Sequence, residues 1–182
     1  MTETGSAPTH EALVRLLLES GAVRFGDFVL ASGQRSDVYV DIKRVWTDPA
    51  RLAVLAQGLA AHVGPADRLA GMELGAIPLV VATALATGKP YVVVRKAAKA
   101  HGTQQRLEGE VPERSHVTVV EDVTTTGGSV VDTVNVVREA GGVVDTVVTV
   151  VDRESGAGAR LEGIRVKLVA LATLRELRGA RE

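Results

Sequence analysis

Apolar positions along the chain switch between a spacing near 3.6 and a spacing of two, and the switches mark its elements. Leu13, Leu16 and Leu17 share one helical face behind Thr9, a residue suited to an N-cap, and Gly21 ends the run. The pattern predicts a helix from Thr9 to about Ser20. Residues 25–44 predict two short strands around a Ser-Gly turn. Asp48-Pro49 joins an N-cap to proline at the first helical position and predicts a helix to about Val63. A brief strand over Arg68–Met72, a helix from Pro78 to Ala86 and a valine-rich strand over Tyr91–Arg95 follow. Val117 to Glu121 reads as a strand, and Val130, Val131, Val134 and Val137 lie on one face of a helix from Gly127 to Ala140, stopped by Gly141-Gly142. Val143–Val151 is a nearly continuous valine run, the pattern of a parallel strand covered on both faces, and Val166–Ala172 is a last strand. Strands alternating with helices predict an α/β fold with a mostly parallel, doubly wound sheet. The first forty-odd residues do not alternate in this way. The reading is one domain over residues 1–182, with about 1–45 as an N-terminal helix and flap and about 46–175 as the α/β core.

Ligands of open α/β sheets sit beyond the carboxyl ends of the strands. Three polar loops are predicted to emerge there: Glu73–Ala76, Glu121–Ser129 and Asp152–Ser155. The second is the most informative. In V-T-V-V-E-D-V-T-T-T-G-G-S-V, residues 117–130, a strand runs into two carboxylates, three threonines, two glycines, a serine and a helix start. Such a junction points N–H groups and hydroxyls at one spot in front of a helix dipole, which suits a phosphate. Glu121 and Asp122 would repel a phosphate beside them, so they are expected to face ribose hydroxyls or a hydrated Mg²⁺. Neither a Walker-type loop nor a dinucleotide fingerprint occurs.

Composition narrows the choice. With 21 Lys and Arg against 22 Asp and Glu, the net charge of −1 argues against a nucleic-acid or membrane partner. The absence of cysteine removes thiolate chemistry and disulfides. Met1 to Pro8 is polar, and no apolar run reaches the roughly 18 residues of a span, so a cytoplasmic location is expected. In this near-neutral chain, Arg95, Lys96, Lys99, His101 and Arg106 gather four cations and a histidine into twelve residues, with Gly102 and Gly109 as candidate hinges. A cationic loop facing a phosphate site is able to close on a pyrophosphate and stabilise it as it leaves.

Residues 117–130 resemble the phosphoribosyl pyrophosphate (PRPP) signature of the type I phosphoribosyltransferases: a hydrophobic strand, two acidic residues, then small hydroxylated residues and glycine. The run Arg-Lys-x-x-Lys-x-His-Gly from Arg95 is similar to the flexible loop of orotate phosphoribosyltransferases. Gly26-Asp27-Phe28, the Ser-Gly-x-Arg-Ser of residues 32–36, and then Tyr39 and Asp41 look like that family's N-terminal hood, and Val151-Asp152-Arg153 like its orotate-contacting loop. The resemblance spans about residues 20–155.

The resemblance implies that Arg95, Lys96, Lys99 and His101 contact PRPP and that Glu121 and Asp122 lie near the ribose hydroxyls. Val123 and Thr124 continue the PRPP-binding stretch, and Thr125, Thr126, Gly127, Gly128 and Ser129 hold the 5′-phosphate. Thr125 and Arg153 contact orotate, with Arg35 as a second, hood-borne candidate. Lys99, His101 and Asp122 carry catalytic roles. The cofactor is Mg²⁺ held mainly through PRPP, with no protein metal ligand, and the active unit is a homodimer with shared sites. The implied reaction is orotate phosphoribosyl transfer in de novo pyrimidine (UMP) biosynthesis. The chain departs from the pattern where many members carry Lys in place of Ala31, and Tyr-Lys in place of Leu74-Gly75. Two alternatives stay open: the same chemistry on a purine, and a PRPP-sensing regulator without activity.

Overall fold

The Thr9 hydroxyl accepts a hydrogen bond from the Ala12 N–H at 3.2 Å and starts α1 (His10–Glu19). The Asp48 carboxylate accepts from the Arg51 N–H at 3.0 Å and, with Pro49, starts α3 (Pro49–Ala60). The computed structural model describes residues 7–29, 33, 35–97 and 106–181. Between these helices lie β1 (Val23–Val29), β2 (Arg35–Val40) and the short α2 (Lys43–Trp46). The core follows as β3 (Arg68–Met72), α4 (Ala76–Thr87), β4 (Tyr91–Val94), β5 (Leu107–Glu108), β6 (His116–Thr124), α5 (Gly128–Glu139), β7 (Val143–Asp152), α6 (Ala157–Glu162), β8 (Lys167–Thr173) and α7 (Leu174–Gly179).

β1 and β2 pair antiparallel in a sheet of their own. The main sheet has the order β5-β4-β3-β6-β7-β8, parallel except for the edge strand β5. Helices cover both of its faces, as the alternating pattern predicts. Leu69, Val120 and Val148 pack on one side with Leu17 of α1, Leu55 and Leu59 of α3 and Leu79 of α4; Val23 and Val38 of the small sheet belong to the same cluster. Ala70, Val92, Val119 and Val147 pack on the other side with Val130, Val134 and Val137 of α5 and Leu161 of α6. The split follows from the two-residue period of a strand: Leu69 and Ala70 are neighbours in sequence and lie on opposite faces. Among the described residues, no helix is long and apolar enough to cross a membrane.

Four elements were not legible in the periodicity. α2, α6 and α7 are too short to display a 3.6-residue repeat, although Thr173 and Glu176 form a capping box that the T-x-x-E spacing encodes. β5 is two residues long and exists only by pairing with β4, a contact invisible locally. The motif strand also runs further than expected. β6 continues past Glu121 because Val123 and Thr124 stay in register with Val151 and Asp152.

Leu69 lies at 0% exposure in the central layer. Truncation by Leu69→Ala is expected to cost about 2–5 kcal/mol, read as a lowered denaturant midpoint at unchanged slope.

Candidate active site

Position along β6 divides the acidic pair. Glu121 and Val123 line a pocket of about 130 Å³ together with Thr124–Val130, whereas Asp122 lies against Gly75 of the loop after β3. A Cβ on Gly75 would overlap the Asp122 carboxylate, so that loop approaches as closely as it does because position 75 carries no side chain. Each carboxylate accepts a hydrogen bond from the next main-chain N–H: Glu121 from Asp122 at 3.0 Å, and Asp122 from Val123 at 2.7 Å.

Burial pushes the Glu121 carboxyl well above the usual range, and the neighbouring charge of Asp122 adds to the effect. This refines the expectation that both carboxylates turn away from a phosphate. Asp122 does so. Glu121 lines the pocket, and its environment favours the neutral form, which repels an anion less. Lys43 of α2 lies in an ion pair with Asp41 at 2.6 Å; that partner raises its pKa, with smaller contributions from the charges of Tyr39 and Asp122.

The turn after β6 exposes Thr125, Thr126, Gly128 and Ser129. Gly127 takes a left-handed conformation, φ +80°, and a side chain there would meet Ala157 at 3.0 Å. Gly127 is also the N-cap of α5, and no side chain caps the helix. The leading N–H groups therefore face the pocket mouth without a side-chain acceptor, the requirement for an anion site.

Hydrogen bonds tie this turn to the loop after β7. The Thr124 hydroxyl donates to Asp152 at 2.9 Å, the Arg153 N–H to the Thr124 carbonyl at 2.9 Å, and the Ala157 N–H to the Thr125 carbonyl at 3.0 Å. Arg160 of α6 reaches the Thr126 carbonyl at 3.4 Å, a contact with no sequence signal. The three polar loops thus meet at one end of the sheet: Gly75 touches Asp122, and Thr124 touches Asp152.

Arg153 forms none of the local ion pairs its neighbours would allow. Arg175 engages Glu154, and Asp152 accepts from Thr124 and from the Glu154 N–H. The Arg153 guanidinium points instead to the Ser36 hydroxyl of β2, 3.4 Å away, and its buried Nε–H has no partner among the described residues. Ser36 belongs to the Ser-Gly-x-Arg-Ser segment, so the small sheet does reach the core site, but through Ser36. Arg35 pairs with Asp27 across the hairpin, both largely exposed.

At the basic segment, Arg95 contacts Glu108 at 3.4 Å and keeps a buried Nε–H without a partner among the described residues. The Lys96 N–H donates to Glu73 at 2.8 Å, linking this segment to the loop after β3. Lys99 and His101 lie outside the described residues.

No protein-family model matches the chain. Individual relatives do. The chain is 45% identical over 166 residues to an orotate phosphoribosyltransferase of Methanocaldococcus jannaschii, covering 91% of this chain and 94% of that one. Its fold superposes on the crystal structure of an orotate phosphoribosyltransferase from Aeropyrum pernix with a TM-score of 0.82 and 38% identity, over 93% and 97% of the two chains. The Mycobacterium tuberculosis H37Rv enzyme in complex with PRPP gives 0.76 and 31%, over 94% and 99%. The likeness runs through sequence and fold alike over nearly the whole of both partners, and the chain belongs to the orotate phosphoribosyltransferase family.

Proposed function

We propose that the protein transfers the 5-phosphoribosyl group of PRPP to orotate, giving orotidine 5′-monophosphate and pyrophosphate in pyrimidine biosynthesis. One observation carries the reading: an uncapped helix N-terminus, a buried carboxyl and an arginine with unused donors stand on loops tied directly to one another. The residue roles follow from the chemistry each group offers.

Thr125, Thr126, Gly127, Gly128 and Ser129 anchor the 5′-phosphate through main-chain N–H groups and hydroxyls. Glu121 and Asp122, continued by Val123 and Thr124, engage the ribose hydroxyls. The bond from C1 to pyrophosphate breaks with its electron pair leaving on pyrophosphate, so positive charge grows on the ribose ring. A ring nitrogen of orotate then gives its electron pair to C1 and releases its proton. Arg95, Lys96, Lys99 and His101 stabilise the departing pyrophosphate, with Lys99, His101 and Asp122 in catalytic roles. The hard oxygen donors of the acidic pair suit Mg²⁺ carried mainly by PRPP, and the ion would supply further charge neutralisation on the pyrophosphate.

Arg153 offers planar donors to the orotate carboxylate, and Thr125 a second contact. A purine has no carboxylate to meet that arginine, which favours orotate over the purine alternative.

The chain is read as a single domain acting as a homodimer with shared sites. The outward face of α4 supports this. Leu85 on α4 and Leu74 just before the helix are 82% and 69% exposed, large apolar side chains left open to a partner.

Three measurements test these statements. Orotate absorbance should fall only when PRPP and Mg²⁺ are both present, with adenine, xanthine and uracil inert; reaction with a purine alone would overturn the base assignment. In the same assay Arg153→Gln should raise KM for orotate about 10- to 100-fold, the value of a charge-assisted hydrogen bond, at little change in KM for PRPP.

For the shared sites, Lys99→Ala and Asp122→Ala chains should each be nearly inactive and regain activity when mixed, because a hybrid dimer carries one intact site. Failure to recover in confirmed hybrids would place each loop in its own subunit's site.

The third concerns Glu121. Its folded pKa is raised, so the stability it contributes is complete below the unfolded value of about 4.3 and is lost as pH rises through the folded value. Glu121→Gln removes that loss. The Tm advantage of the variant should be absent near pH 4 and grow with pH. A constant difference would argue against a buried, proton-holding carboxyl.

A further inference from the structure

The basic segment leaves the sheet at Arg95 and returns at Arg106, and both ends are fastened. The Arg95 N–H donates to the Arg106 carbonyl at 2.7 Å, and Arg106 Nε returns a bond to the Arg95 carbonyl at 3.0 Å. The remaining guanidinium nitrogens of Arg106 make two parallel bonds to Asp132, at 2.9 and 2.6 Å. That pairing raises the Arg106 pKa and holds the Asp132 carboxyl below its usual range.

Asp132 is on α5, the helix whose N-terminus forms the turn at Gly127–Ser129. At three and four residues beyond Ser129 and Gly128, it shares their helical face. A bare carboxylate there would oppose a phosphate on the turn. The pair is partly open to solvent, 27% and 44% at its side chains, and such pairs add little to stability. Its two-pronged geometry fits a different purpose: it fixes the root of the basic segment to the helix behind the phosphate turn and masks the Asp132 charge.

We infer that Arg106 and Asp132 are positioning residues for phosphoribosyl transfer, holding the base of the Arg95–Arg106 segment on α5 and screening the phosphate turn from a carboxylate. The inference rests on the reading of that segment as the one serving pyrophosphate. It holds whichever site of a dimer the segment serves, because both its ends belong to one body.

The two partners are not equivalent, and this gives the test. Asp132→Asn loosens the root and leaves only the Arg106 cation behind, a charge that does not oppose a phosphate on the turn. It should lower kcat about 10-fold, about 1.4 kcal/mol, with KM for PRPP within a factor of about three. Arg106→Gln also bares a carboxylate beside the turn, and should lower kcat similarly while raising KM for PRPP about 10-fold. The double variant should return KM to the level of Asp132→Asn alone. All should melt close to the parent protein. On top of Lys99→Ala, Asp132→Asn should cost little more, since the group it positions is already gone.

Parental kcat in both single variants, or a full multiplicative loss on top of a slow Lys99→Ala, overturns the inference and leaves the proposed function standing. Parental activity in Lys99→Ala itself removes the segment's assigned role, and the inference falls with it. Arg106→Lys, which keeps the charge but loses the fork, should retain KM for PRPP and lose kcat; the reverse split would contradict the positioning role.

Discussion

Parallel pairing of β6 with β3 on one side and β7 on the other decides where the three polar loops of the site can stand. Parallel strands end at the same edge, so the loops that follow them are neighbours however far apart they lie in sequence. Gly75, Asp122 and Asp152 come together through this arrangement, which the hydrogen bond from Thr124 to Asp152 then fastens. The apolar layers on both faces make the register costly to shift, because a slip of one residue would drive Val119 and Val120 into each other's layers. The valine-rich core is in this sense the frame that holds a polar edge in place.

Under the proposed function, that edge answers an electrostatic problem. A site for a phosphorylated sugar needs donors for phosphate and acceptors for hydroxyls within a few ångströms, and the acceptors are anionic. The charges are separated by direction and by protonation. Asp122 turns to Gly75, within the field of Lys43; Glu121 lines the pocket but is driven toward its neutral form by burial. Asp132, a third carboxylate near the turn, is neutralised by Arg106.

Much of this was legible in the sequence, and the limits have physical causes. The alternation of valine-rich strands with capped helices specified the sheet, and the junction at residues 117–130 marked the turn, because strand, loop and helix signals there are all local. The reach of β6 to Thr124 was not legible, since its last rungs depend on β7. The bonds from Lys96 to Glu73 and from Arg106 to Asp132 join residues 23 and 26 positions apart, and no periodicity encodes them. Arg35 illustrates the converse. It sits in the same motif as Ser36, yet its side chain lies in the open beside Asp27, while Ser36 next to it reaches Arg153.

The seat that Gly75 provides for the Asp122 carboxylate bears on how this sequence can change over time. The family pattern that this chain resembles places a lysine where the chain has Gly75. Any side chain introduced at position 75 would displace the Asp122 carboxylate at the same stroke, so gaining the cation would disturb the anion beside it. The two positions are therefore sterically coupled: a side chain at position 75 fits only as far as the Asp122 carboxylate turns aside, so the loop after β3 and the acidic pair of β6 change together or strain each other.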